Sequence, residues 1–233
     1  MTTGKPASEG LPSLLTIRIE KASEGLNAGH FTSVDLVKAC IARIEEASNF
    51  NAVLQVNPDV LIAAKSLDDK RLRSGSRGPL HGIPILLDAS AGTYALLGAK
   101  PAVESSLISR LRKTGVIILG KTNLSEWANF RGLNISASWS PRGDQTLGAY
   151  CPNTRSDGSS SGSAVATALG LCGAALGTEV KSAVLFRREM KRNLTQIQTI
   201  GSIVDPAEIA NVVGFKPTRG LIGTDGAIPI SKR

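Results

Sequence analysis

The chain has 233 residues, is 42% hydrophobic and 20% charged, and carries a formal net charge of +8. That composition supports a sizeable apolar core and excludes a disordered chain. Aromatic residues are only 4% and half of the positive excess falls in residues 180–198, which argues against a nucleic-acid-binding platform.

The first ten residues are polar and read as a flexible N-terminus without a secretory leader. No apolar run reaches the roughly 18 residues needed to cross a bilayer, so a soluble, cytoplasmic protein with no membrane contact is expected. Residues 11–27 are periodic in Leu and Ile. Thr32-Ser33-Val34-Asp35 offers a cap for a helix to about Ala47, and residues 52–56 read as a strand. Residues 59–72 read as a helix and residues 81–87 as a short buried strand with Pro84 near its start. Residues 105–114 form a helix with basic residues at its end, as the helix dipole favours, and Gly115 stops it. Residues 116–120 are a continuous apolar strand of the kind covered on both faces. Residues 164–176 read as a helix of small residues, and Ile203, Val204, Val212, Val213 and Phe215 as further buried strand or short helix. Alternating strands and helices argue for an α/β layered domain.

Cys40, Cys151 and Cys172 are odd in number and widely spaced, which suggests neither a disulfide framework nor a metal site; reduced thiols fit best. Residues 180–198 hold five cations against Glu189 alone. Their apolar residues make a poor stripe, so the segment reads as a solvated basic insert. A nucleic-acid or membrane-surface module built on Lys181 to Arg192 is the lesser alternative.

Chemistry concentrates in three places. Asp157-Gly158-Ser159-Ser160-Ser161-Gly162-Ser163 is a Gly/Ser loop at the mouth of a helix. Its amides and the helix dipole favour negative charge. Taken alone, such a loop is more often a flexible helix cap. Gly201-Ser202 is a dipeptide that can expose a serine hydroxyl on a tight turn, and Gly214-Phe215-Lys216-Pro217-Thr218 reads alone as a structural corner.

In this order the three resemble the amidase signature family, particularly its fungal-type members. Residues 31–36, Pro79-Leu80-His81-Gly82-Ile83-Pro84 and Gly120-Lys121-Thr122-Asn123-Leu124-Ser125-Glu126-Trp127 add to the likeness, which covers residues 11–233 apart from its breaks. The resemblance implies a mixed β-sheet flanked by α-helices, here incomplete at the C-terminus, and hydrolysis of a small-molecule amide without a cofactor or metal. It also implies a Ser–Ser–Lys triad: Ser202 as acyl-ester nucleophile and Ser159 as the bridging serine held by a cis peptide. The Gly158, Ser160 and Gly162 loop surrounds them, and the amides of Thr199, Ile200 and Gly201 form the oxyanion hole. Oligomeric state is open.

The resemblance breaks in three respects. The triad lysine should directly follow the Gly-Ile-Pro strand, but Leu87 is followed by Asp88-Ala89-Ser90, and neither Lys100 nor Lys121 matches the motif. Residues 180–198 split Gly177-Thr178-Glu179 from Thr199-Ile200-Gly201-Ser202; codons for Val180 begin with GT and Gln198 can end in CAG, so a retained intron is expected. Ile200 stands where the family has Gly or Asp, and a β-branched residue fits such a turn poorly. An impaired enzyme is therefore expected, with a pseudoenzyme or binding protein that keeps the Ser/Gly loop as the alternative.

Overall fold

The computed structural model describes residues 10–88, 90–130, 136–151, 154–179, 201–218, 220–223 and 225–228. Residues 180–198, expected to be a basic insert, lie outside the described residues with Thr199 and Ile200, as does most of the N-terminal ten-residue segment.

Helices α1 (Ile19–Ala28) and α2 (Ser33–Glu46) open the fold. A reciprocal cap starts α2: the Asp35 N–H donates to the Thr32 hydroxyl at 3.1 Å, and the Thr32 N–H donates to the Asp35 carboxylate at 2.9 Å. Strand β1 (Val53–Val56), helix α3 (Val60–Ser74), strand β2 (Pro84–Asp88), helix α4 (Ser106–Thr114) and strand β3 (Ile117–Thr122) follow. Gly115 ends α4 in the left-handed conformation, and Arg112 and Lys113 occupy its last turn. Beyond the short hairpin of β4 (Trp139–Ser140) and β5 (Asp144–Gln145) come α5 (Ser161–Ala168), β6 (Ala174–Leu176) and α6 (Val204–Ile209).

The sheet is mixed, in the order β1-β3-β2-β6. β2 pairs in parallel with both β3 and β6, and β1 runs antiparallel to β3. Leu86, Ile117 and Leu119 of the central strands are buried with Val37 of α2, Ala64 of α3 and Val165 and Ala166 of α5 in one cluster. Two cysteines, Cys40 and Cys172, are part of that core, and burial pushes both thiols up to about 12, far from the reactive range.

Two expectations fail. The helix expected over 164–176 starts earlier, at Ser161, and ends at Ala168. Gly170 then turns the chain at φ +63°, and the Gly173 N–H donates to the Pro84 carbonyl at 3.2 Å. Ala174, Ala175 and Leu176 become a strand because the open edge of β2 offers them backbone partners at Ile85, Leu86 and Leu87. A run of small residues carries no period that would separate a helix from such a strand. The other failure concerns the C-terminal apolar residues. Val204 lies on the short helix α6, but Val213 is 95% and Phe215 75% exposed, because no described strand pairs with or covers that segment.

Among the described residues, no helix is long and apolar enough to cross a membrane.

Candidate active site

The Gly/Ser loop is buried structure rather than a flexible cap. Ser159, Ser160 and Ser161 are all buried, and Ser160, at the N-cap of α5, makes no side-chain cap bond. Glycines permit the burial. A Cβ on Gly158 would overlap the Ser125 hydroxyl, and one on Gly162 would lie 2.6 Å from the Asn123 nitrogen. Ser163 ties the first turn of α5 to the sheet: its hydroxyl is 2.9 Å from that of Thr122 and donates to the Leu176 carbonyl at 2.9 Å.

The loop brings the two expected serines together. The Gly158–Ser159 peptide is cis. The Ser159 N–H donates to the Ser202 hydroxyl at 3.0 Å, and the two hydroxyls are hydrogen-bonded to each other. The Ser160 N–H donates to the Ser202 carbonyl at 3.0 Å, and the Ser125 N–H to the Ser159 carbonyl at 2.9 Å. Ser202 follows Gly201, whose φ of +98° only glycine adopts readily; a Cβ there would also overlap the Asp205 carboxylate. Of the three expected oxyanion-hole residues only Gly201 is described.

At the C-terminal end of β2, where the resemblance calls for lysine, stands Asp88. Its carboxylate accepts from the Ser160 hydroxyl at 2.7 Å and from the Thr178 hydroxyl at 3.3 Å. Among the described residues no lysine amine bonds to either serine hydroxyl. Lys121 lies on β3 opposite Gln55 and Leu87, and Lys100 is exposed in a loop.

Burial pushes the Asp88 carboxyl up to about 6, against the opposing hydrogen bonds of Ser160 and Thr178. The folded state therefore holds this proton to higher pH than the unfolded chain, and the carboxyl's contribution to stability falls as pH rises from about 4 to about 6. Asp88→Asn removes that dependence. The variant should exceed the parent by about 1–2 kcal/mol at pH 7 and match it more closely at pH 4, as read from urea denaturation at both values.

Sequence reasoning passed over a second carboxylate. The Glu179 side chain is 3% exposed and pairs with the Lys216 ammonium, the lysine of the Gly-Phe-Lys-Pro-Thr corner. It also accepts the N–H groups of Ile203 at 3.0 Å and Val204 at 3.4 Å. Burial works to raise its pKa, but the bonds from Lys216, Ile203 and Gly201 outweigh burial and hold it below the ordinary value. The retained motif order around Lys216 was the available signal. Asp205 titrates in the other direction, raised by burial and by the charges of Asp157, Glu179 and Glu208.

A family model described as Amidase matches residues 35–185, ending inside the insert. A protein of Arthroderma benhamiae named as an amidase is 38% identical over 260 aligned positions, which take in 98% of this chain and 41% of that protein. The alignment is longer than the chain, so the relative has residues within it that this chain lacks. A protein of Arabidopsis thaliana, also named as an amidase, is 36% identical over 100% of this chain and 45% of its own length. The native peptide amidase of Stenotrophomonas maltophilia superposes with a TM-score of 0.81 at 42% identity, covering 93% of this chain and 43% of that one. The chain thus spans less than half the length of the relatives it matches. With its family match, mixed sheet and hydrogen-bonded pair of buried serines, the chain belongs to the Amidase family.

Proposed function

We propose that this chain is an amide-bond hydrolase by descent whose Ser202 and Ser159 keep the geometry of nucleophile and bridging serine, and which lacks the base that would drive them. In the full reaction Ser202 Oγ attacks the amide carbonyl carbon. Its proton passes to Ser159 Oγ, which gives up its own to a neutral lysine, and the amine leaves with a proton returned along the same path. Water then attacks the Ser202 acyl ester through the same relay, releasing the acid and restoring the serine. The hydrogen bond between the two hydroxyls supports the first transfer. The second has no acceptor among the described residues. Asp88 faces Ser160 instead. Asp157 and Asp205 add negative charge, which disfavours the anionic tetrahedral intermediate.

The observation that carries this reading is the Ser159–Ser202 pair beside a strand end occupied by Asp88. Purified full-length chain should hydrolyse simple linear amides no faster than buffer. Hydrolysis that disappears in Ser202→Ala would overturn it. The second reading, a binding protein for a small amide that uses the retained loop, is favoured by the same pair without its base. Retained amide binding with Ser202 silent to a fluorophosphonate would select it. Neither reading calls for nucleic acid, a membrane, a cofactor or a metal.

A further inference from the structure

The insert was expected to part Glu179 from the nucleophile's turn, yet the two meet. Twenty-one residues separate Glu179 from Gly201 in sequence, and closing a loop of that length costs entropy that some contact must offset. The Glu179 carboxylate supplies such a contact. It accepts the N–H groups of Ile203 and Val204, immediately after Ser202. One carboxylate thus holds the backbone that follows the Ser202 side chain. Its burial would be unfavourable without a counter-charge, and Lys216 provides one from the Gly-Phe-Lys-Pro-Thr corner. Thr178, the preceding residue, is fixed separately: its hydroxyl donates to Asp88, and its N–H to the Ser160 hydroxyl at 3.2 Å. The near side of the interruption is therefore anchored to the strand end and the serine loop, and the far side to Glu179.

We propose that Glu179, neutralised by Lys216, is the positioning residue of the Ser202 turn, and that it holds the turn in shape across the interruption at 180–198. The proposal rests on the reading of Ser202 as nucleophile only for its functional meaning; the clamp can be observed without any activity. Hydrogen bonds to an ionised acceptor are stronger than neutral ones, so the Ile203 and Val204 amides should report the charge on Glu179 directly.

The test uses the isotope-labelled full chain and follows those two amide protons by NMR. In the parent protein both should shift with one common midpoint below the usual glutamate range. Lys216→Met should move the midpoint up. Glu179→Gln should abolish the titration and speed hydrogen exchange at Ile203 and Val204 by about tenfold or more, with exchange in β2 and β3 unchanged. Amides that ignore the protonation of Glu179 in the parent, or exchange unaltered in Glu179→Gln, overturn the clamp; the parent titration decides even where a variant does not fold. Fluorophosphonate labelling of Ser202 separates the two ideas. A parent that never labels while its amides titrate as expected counts against the nucleophile and leaves the clamp standing. A parent that labels, with labelling about tenfold slower in Glu179→Gln, supports both.

Discussion

Asp88→Lys is expected to raise hydrolysis of simple amides by at least about a hundredfold over the parent chain, the lower end of what a positioned general base contributes. Position 88 ends β2, directly after Leu87, and its side chain already reaches the Ser160 hydroxyl and Thr178. Ser160 adjoins Ser159 in the chain, so an amine on a four-carbon stem at the same place starts within one residue of the Ser159 hydroxyl. The substitution also removes one of the carboxylates that crowd the site. Burial lowers the pKa of the new lysine by disfavouring its charged form. Only the neutral amine accepts a proton, so activity of the variant should climb with pH through the lysine's titration. Asp88→Met, which keeps most of the stem without the amine, should stay at the parent level. Adding Ser159→Ala or Ser202→Ala to Asp88→Lys should return the rate to that level too, because groups that act as a unit fail together. A folded Asp88→Lys protein no more active than Asp88→Met would show that the missing base is not what limits the chain. Activity that survives Ser202→Ala would show that Ser202 is not its nucleophile.

Fold and site differed in how far they could be read from sequence. Helix α2 was legible because its signal is local: Thr32 and Asp35 are three positions apart and cap each other. Strand β3 was legible because a short apolar run beside a glycine-ended helix has few other outcomes. Strand β6 was not, since Ala174, Ala175 and Leu176 take their identity from the edge of β2 some ninety positions earlier. The same distinction runs through the site. Ser159 and Ser202 could be named from motif order, although nothing in their 43-residue separation shows that their hydroxyls meet. Asp88 looked like a mere gap in the pattern, and its bond to Ser160 spans 72 positions. Glu179 and Lys216, 37 positions apart, belonged to two separately quoted motifs. Only the folded chain makes them one ion pair beside the Ser202 turn.

The largest loss of stability from a one-carbon change is expected at Gly162. In a helix interior alanine is ordinarily favoured over glycine by about 1 kcal/mol, so propensity alone predicts that Gly162→Ala stabilises α5. Its surroundings reverse the sign. The added Cβ would overlap the carbonyl oxygens of Ala52 and Asn123 and lie 2.6 Å from the Asn123 nitrogen. All three are backbone atoms, which cannot rotate aside. Nor can the backbone shift freely, because the Asn123 N–H donates to the Ala52 carbonyl at 2.9 Å and the Gly162 N–H to the Asn123 carbonyl at 3.1 Å. The Asn123 side chain adds bonds to the Gly143 and Asp144 carbonyls and the Thr146 hydroxyl, each at 3.0 Å. Moving α5 outward would break this junction and pull Ser159 and Ser160 away from Ser202 and Asp88. The expected cost is about 3 kcal/mol or more, above the usual overpacking range because no flexible side chain can yield. Gly29→Ala provides the comparison: Gly29 caps α1 at φ +74° with nothing near its missing Cβ, so it should lose only the left-handed penalty of about 1–2 kcal/mol. Urea denaturation of the two variants decides the matter. A Gly162→Ala protein as stable as Gly29→Ala would mean that the start of α5 is not packed tightly against Ala52 and Asn123, and the burial that aligns Ser159 with Ser202 would need another cause.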